Sequence, residues 1–222
     1  MKEESEKMNR ITHATLTFVA LWVALLLIAP SYVSAASVRQ VTMDEMLQQS
    51  QLVFEGEVTA LETKESSPKR IHTLVTLTIL EVIKGEYPST TITLSFLGGT
   101  VGNVTLAVSD MVLPQVGEHG IYFVESLERL QVHPLYGWSQ GHFLVETDAS
   151  GTDRVMTNSE QPVTEVLSNM PADQMTADQE PVQALSRGVA RGLTVAQMKK
   201  DTRGMTANQF KKILRERMGA KP

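Results

Sequence analysis

The chain has 222 residues, 42% of them hydrophobic and 20% charged, with a net charge of −5 and no cysteine. That length holds one domain of moderate size with appendages, and the hydrophobic content suffices for a real core. The absence of cysteine excludes disulfides, thiolate chemistry and cysteine-based zinc sites.

The charge is unevenly spread. Residues 37–186 carry seven basic and 20 acidic side chains, a net −13, whereas 187–222 carry ten basic and two acidic, a net +8. An acidic body with a basic tail excludes a uniformly basic nucleic-acid binder, because the body would repel phosphate. The tail has three candidate counterparts: the body itself, an anionic membrane surface or an acidic partner.

Residues 1–14 are polar, and 16–29 (LTFVALWVALLLIA) form an apolar run with one polar member, broken by Pro30. Small residues follow at Ser34, Ala35 and Ala36, so 1–36 reads as a secretory signal peptide. The alternative is an uncleaved membrane anchor starting near Ile11, just long enough at about 20 residues to span. Either reading places the remainder outside the cytoplasm.

Thr42 and Glu45 have the spacing of a capping box, so a short helix is expected up to Ser50. The stretch 52–61 (LVFEGEVTAL) reads as a strand with Phe54 and Val58 inward and Glu55, Glu57 and Thr59 toward solvent. Gly56 falls on the inward parity, where glycine marks a bend or a close backbone approach. Residues 62–70 read as a polar hairpin loop. The organising strand is 75–85 (VTLTILEVIKG): Val75, Leu77 and Ile79 alternate with threonines, and then the phase slips, which predicts a bulge near Leu80 and Glu81. Alternation returns over 91–96, 104–108, 121–124 and 143–147, with a turn at 148–151 leading to 154–156, and 130–133 is a further candidate. Short strands with turn signals at this spacing predict an antiparallel barrel or sandwich.

Residues 158–190 are rich in Gln, Asp, Ser and Pro and read as a linker. The basic tail, 191–222, contains a 12-residue repeat, in which 192–200 (GLTVAQMKK) matches 204–212 (GMTANQFKK). Each copy has a helix-start spacing, Thr194 with Gln197 and Thr206 with Gln209, and the second continues into a helical stripe of Phe210, Ile213, Leu214 and Met218. This helix reads either as docked on the acidic body or as a membrane-surface or partner helix.

Candidate chemistry is sparse. Gly137, Ser139 and Gly141 match G-x-S-x-G, the nucleophile elbow of hydrolases. That chemistry needs a following helix and a later histidine, but a strand follows and His142 lies only three residues on. Gly98, Gly99 and Gly102 form a glycine loop without the lysine of a phosphate loop. His72, His119, His133 and His142 are not at metal-ligand spacing. Asp148, Ser150 and Asp153 imitate part of a calcium loop without its terminal glutamate. Asn103 sits in a glycosylation triplet. Neither a cofactor, a metal nor a catalytic set is expected.

Taken together, L-V-F-x-G-x-V at 52–58, V-T-L at 75–77, I-K-G at 83–85, Gly98 with Gly99, P-x-V-G-E at 114–118 before Tyr122 and Phe123, and G-x-S-Q-G-x-F at 137–143 resemble a group of uncharacterised exported bacterial proteins. More distantly, the layout is similar to the netrin-like domain of tissue inhibitors of metalloproteinases, an OB-type barrel. Those inhibitors chelate their target's zinc through an N-terminal cysteine, which this chain lacks. The likeness implies a fold and a location but no active site.

The sequence therefore predicts a mainly β protein: an antiparallel OB-like or netrin-like barrel over 37–157, with a short N-terminal helix and a C-terminal helical tail. The expected function is that of an exported, non-catalytic binding or interaction module of the cell envelope, periplasmic or extracellular, whose partner is a protein or envelope component. The alternatives are a hydrolase using Ser139 or a histidine metal site, and a membrane-associated protein held by its N-terminus.

Overall fold

A computed structural model describes residues 38–68, 70–167, 188–195 and 204–219. Along them run α1 (Met43–Gln49), β1 (Leu52–Ser67), β2 (Arg70–Lys84), β3 (Thr91–Leu97), β4 (Gly99–Val101), β5 (Val104–Leu106), β6 (His119–Val124), a 3-10 helix (Trp138–Gly141), β7 (His142–Thr147), β8 (Asp153–Thr157), β9 (Val163–Val166), β10 (Leu193–Val195) and α2 (Ala207–Gly219). Six strands form one antiparallel sheet in the order β3-β2-β1-β6-β7-β8, while β4–β5 and β9–β10 are separate pairs. The protein is thus mainly β and antiparallel, with a short helix before the strands and a helix at the end. Among the described residues β3 and β8 are not joined, so the sheet is open where the sequence predicts a closed barrel.

The phase slip in β2 is a bulge at the expected place. Glu55 pairs with Glu81 and Gly56 with Ile79, which leaves Leu80 as the extra residue, and a second irregularity leaves out Ile83. Extra residues bend a strand and raise its twist. As a result β2 sends Val75 and Leu77 into the core on one face of the sheet and Ile83 into the core on the other. Neighbouring β1 serves both faces by simple alternation, with Leu52 and Phe54 on one side and Val53 on the other.

Gly56 and Gly120 face each other across β1 and β6. A Cβ on Gly56 would lie 2.8 Å from the Phe54 ring, and one on Gly120 would lie 3.0 Å from the Tyr122 ring. These two rings stack 5.4 Å apart over the glycines and cover the backbone there.

The first core face gathers Leu52, Phe54, Val58, Val75, Leu77, Ile92, Leu94, Phe96, Tyr122, Val124 and Leu135. The second packs α1, α2 and β9 on the sheet, with Met43, Met46, Val53, Phe123, Phe143, Val163, Phe210 and Leu214 fully or nearly buried. Fully burying one large aliphatic or aromatic side chain contributes about 1.5–3 kcal/mol, so both faces carry substantial stability.

Both helices start as their caps predict. The Thr42 hydroxyl accepts the Glu45 N–H at 3.0 Å, and Thr206 and Gln209 exchange backbone and side-chain bonds at 3.0 and 3.1 Å. The far end of α1 is closed from another element. Lys84 donates through Nζ to the carbonyls of Leu47, Gln48 (3.2 Å) and Ser50 (2.6 Å). A cation placed on the open carbonyls of a helix C-terminus satisfies them and complements the helix dipole. Gly85 follows with φ +82, and a Cβ there would run into the Gln51 carbonyl. Replacing Lys84 with methionine removes all three charge-assisted bonds. Urea unfolding is expected to show a loss of about 2–3 kcal/mol with an unchanged slope.

α2 lies on the sheet, with its Phe210 ring 5.0 Å from Phe143. Its basic residues meet acids of the body: Lys211 meets Glu55 and Glu81, Arg215 meets Glu81, and Arg217 meets Asp44.

Several expectations need correcting. Glu55 does not face solvent; it is 6% exposed, beneath α2. The polar stretch 62–70 is no loop, because β1 and β2 continue as a paired ribbon to Ser67 and Arg70. Residues 130–133 form no strand. Within 158–190, β9 pairs with β10, so this part of the expected linker belongs to the fold. The first repeat copy opens as β10, with Thr194 in strand pairing; only the second begins a described helix. The leader over 1–36, and 168–187 of the expected linker, lie outside the described residues. Among the described residues no helix is long and apolar enough to cross a membrane.

Candidate functional site

Ser139 lies on the 3-10 helix after Gly137, whose φ is +71. The turn is a clamp. Gln140 is buried and accepts the Val41 N–H at 2.9 Å, while its amide donates to the Arg39 and Gly137 carbonyls, each at 3.0 Å. Gly141 has no room for a side chain because the Tyr136 carbonyl occupies the space. The chain goes on into β7 rather than a helix, and among the described residues no histidine is hydrogen-bonded to Ser139. The pattern here pins 39–41 to the sheet and does not assemble an elbow.

His72, His119, His133 and His142 make separate hydrogen bonds. His72 bonds Ser95 at 3.2 Å between β2 and β3. His142 is buried, with Nε2 2.7 Å from Glu118 and Nδ1 2.6 Å from the Asn158 amide. Tyr122 donates to the same Glu118 oxygen at 3.0 Å, and its ring stacks on His142 at 4.8 Å. Burial pushes the Glu118 carboxyl up, but the bonds from His142, the Gln115 N–H and Tyr122 outweigh it and hold the group below its ordinary value. The glutamate of the P-x-x-G-E turn thus ties that turn to β7 and β6. His133 is stacked on Trp138 at 5.2 Å and meets Phe96 edge-on at 5.0 Å. Among the described residues no three His, Asp or Glu side chains converge in a way that could hold a metal.

The most concentrated charge is a relay under α2. His119 Nε2 lies 3.0 Å from Glu55, Glu55 meets Lys211, Lys211 lies 2.7 Å from Glu81, and Glu81 meets Arg215. The His119 bond lowers the Glu55 carboxyl; burial opposes this, and Lys211 reinforces it. Burial pushes the Lys211 amine down, yet its two carboxylate partners raise it overall. A polar cavity of about 290 Å³ opens beside the relay, lined by Glu55, Asp153, Thr206, Asn208 and Lys211. Each charge of the relay has an opposite partner within the fold.

The remaining motifs close turns. A Cβ on Gly99 (φ +130) would lie 2.6 Å from both Thr63 and Thr73 side chains, and Thr73 donates to the Gly98 carbonyl at 2.8 Å. Asp148 accepts the Ser150 and Thr152 N–H groups at 2.8 and 3.1 Å and Arg154 Nε at 2.9 Å, so it shapes the β7–β8 hairpin. Asn103 lies exposed in the β4–β5 turn.

One edge of the sheet stands out. The β8 edge is covered by the Val155 N–H to Met205 carbonyl bond and by a bridge from Met156 to Pro162. Among the described residues the β3 edge is covered by backbone at one end only, where the Leu97 N–H donates to Val132 at 3.0 Å. Beside it a groove of about 150 Å³ runs between β3 and the connection 126–134, lined by Ile92, Thr93, Ser95, Leu127, Leu130 and Gln131 among others.

Sequence reasoning missed Lys84, Glu55 and Lys211 as placed groups and missed the groove. Lys84 left one signal, its position immediately before the strand-ending Gly85. In comparisons with known proteins, no family model, curated protein or solved structure matches this chain.

Proposed function

We propose that this chain is an exported, non-catalytic binding module of the cell envelope with a protein or envelope component as its partner. The observation that carries this reading is where the polar groups stand. Lys84, Glu118, Gln140 and His142, which sit in the motifs, each bond to the fold itself, as does buried Glu55. Among the described residues, unpaired backbone groups and an exposed leucine meet instead at the rim of β3. The leader-like pattern over 1–36 supports export. The apolar stripe of α2 lies on the sheet, which favours a protein partner over a membrane surface for that helix.

We carry the OB-like or netrin-like architecture as part of the same proposal. It is supported by the connection 125–136, which touches both sides of the first core face. Glu125 N–H bonds Pro134, Tyr136 N–H bonds Phe123, and Val132 receives the Leu97 N–H. A connection that bonds β6 and β3 lies where an OB barrel would close. The likeness to the exported bacterial group fits as well, since its glycines and Glu118 hold turns and close approaches here.

The test is enzymatic. The protein, purified after processing in an exporting host, is offered ester and peptide substrates alongside its Ser139→Ala variant. Neither is expected to turn substrate over. Turnover by the parent that vanishes in Ser139→Ala overturns the proposal in favour of a hydrolase.

A further inference from the structure

We infer that the free edge of β3 is a docking site for one extended peptide segment of another chain, which adds there as a strand. The inference rests on the binding-module proposal and deepens it. Gly98 N–H bonds Ile71 and the Thr90 carbonyl receives the Ile79 N–H, and the β2–β3 register is regular between them. In an antiparallel ladder this makes the even-numbered residues of β3 bond β2 and turns the odd-numbered ones outward. The Leu97–Val132 bond agrees with that assignment. The Thr91 N–H is capped by Ser89 at 3.2 Å. Among the described residues the outward N–H and C=O groups of Thr93 and Ser95 have no partner.

Proteins blunt such edges with charge, proline, bulges or a covering segment. The β3 sequence TITLSFL has neither charge nor proline, and its pairing is unbroken. Across the groove, Leu130 is 86% exposed. Two needs therefore converge: a strand for the edge and an apolar side chain for Leu130.

Size decides the occupant. Small-molecule sites run about 300–1,000 Å³, whereas this groove of about 150 Å³ takes one or two side chains. A second copy of the chain would bring its own 126–134 connection onto the same edge. It would also gain pairing only along the short free stretch around Thr93 and Ser95, whereas stable interfaces bury roughly 1,200–2,000 Å². An extended peptide meets neither obstacle, because main-chain bonds supply its affinity and alternate side chains supply its specificity. The peptide that fits is uncharged at its centre, with an apolar residue facing Leu130.

The test uses a random heptapeptide library on phage, selected against the processed protein, with the enriched peptides then titrated by fluorescence anisotropy. Thr93→Pro deletes one outward N–H while the residue keeps its extended backbone, a change that edge strands tolerate. Leu130→Asp alters a side chain that supports no core. Enriched peptides of alternating apolar pattern whose binding falls about tenfold or more in either variant support the docking site. No enrichment, or enriched peptides that bind Leu130→Asp and folded Thr93→Pro as tightly as the parent, overturns it. Should Thr93→Pro fail to fold, Leu130→Asp decides. Failure here leaves the wider binding proposal standing, because that proposal falls only on Ser139-dependent turnover.

Discussion

Lys211→Met is expected to destabilise the protein by about 3–5 kcal/mol, the cost of leaving one charge of a buried pair alone. The lysine sits beneath α2, and its side chain is 9% exposed against 8% for Glu55. Removing the amine leaves Glu55 buried with only His119 beside it, and Glu81 with only Arg215. Methionine matches the aliphatic stem, so packing changes little and the loss is electrostatic. The double variant Glu55→Leu with Lys211→Met separates the pair from its surroundings. Replacing a buried ion pair by apolar residues of similar volume is often close to neutral. The double variant is therefore expected to recover most of the loss, which a double-mutant cycle in urea reads directly. A Lys211→Met protein as stable as the parent would show that the pair is solvated in solution. The prediction also bears on the tail. If α2 is held to the body by this relay, losing Lys211 should raise amide exchange along Ala207–Gly219 before the sheet responds.

The relay shows what a single sequence conceals. Alternation over 75–85 was enough to place β2 and even its bulge at Leu80, because side-chain parity is a local property of the strand. The caps at Thr42 and Thr206 were legible for the same reason, since donor and acceptor lie three residues apart. Glu55 was not legible. It shares the parity of Glu57 and Thr59, which face outward, and the helix that buries it begins about 150 residues later. Lys84 likewise looks like a surface residue until α1 is placed over the end of β2. β9 hid because it is short, follows Pro162 and sits in a polar stretch; its Val163 and Val166 gain their meaning only from β10 and α2. The groove at β3 depends on which edge of the sheet stays uncovered, and that is a matter of strand order, which alternation does not encode.

Acid should destabilise this protein in two stages, and His133 sets the first. The ring is 3% exposed, and its Nδ1 accepts the Leu135 N–H at 3.2 Å, which leaves the proton on Nε2 with no partner among the described residues. Burial pushes its pKa down from 6.5 to about 3, with the neighbouring His142 adding to the effect. The folded state therefore keeps the ring neutral while the unfolded chain takes up a proton below pH 6.5. The unfolded state binds more protons in this window, so stability rises with pH there and is lost as pH falls from about 6.5 toward 3. The slope is about 1.4 kcal/mol per pH unit, which makes the loss about 2 kcal/mol by pH 5. The carboxylates act in a lower window. Glu55, Glu81 and Glu118 have folded pKa values below their ordinary 4.5, so their contribution is complete above that value and fades as pH falls through the folded ones. His133→Phe keeps an aromatic ring between Trp138 and Phe96 but cannot titrate. It lowers stability at pH 7.5, because the buried Leu135 N–H loses its acceptor at a cost of about 1–3 kcal/mol. Its stability should nevertheless decline less steeply than the parent's from pH 6.5 to 5, because the His133 contribution to the slope is gone, and then fall with the parent below 4.5. Urea midpoints across pH 4–7.5 measure both stages. Parallel curves for the two proteins in the upper window would mean that His133 is reached by water and titrates normally.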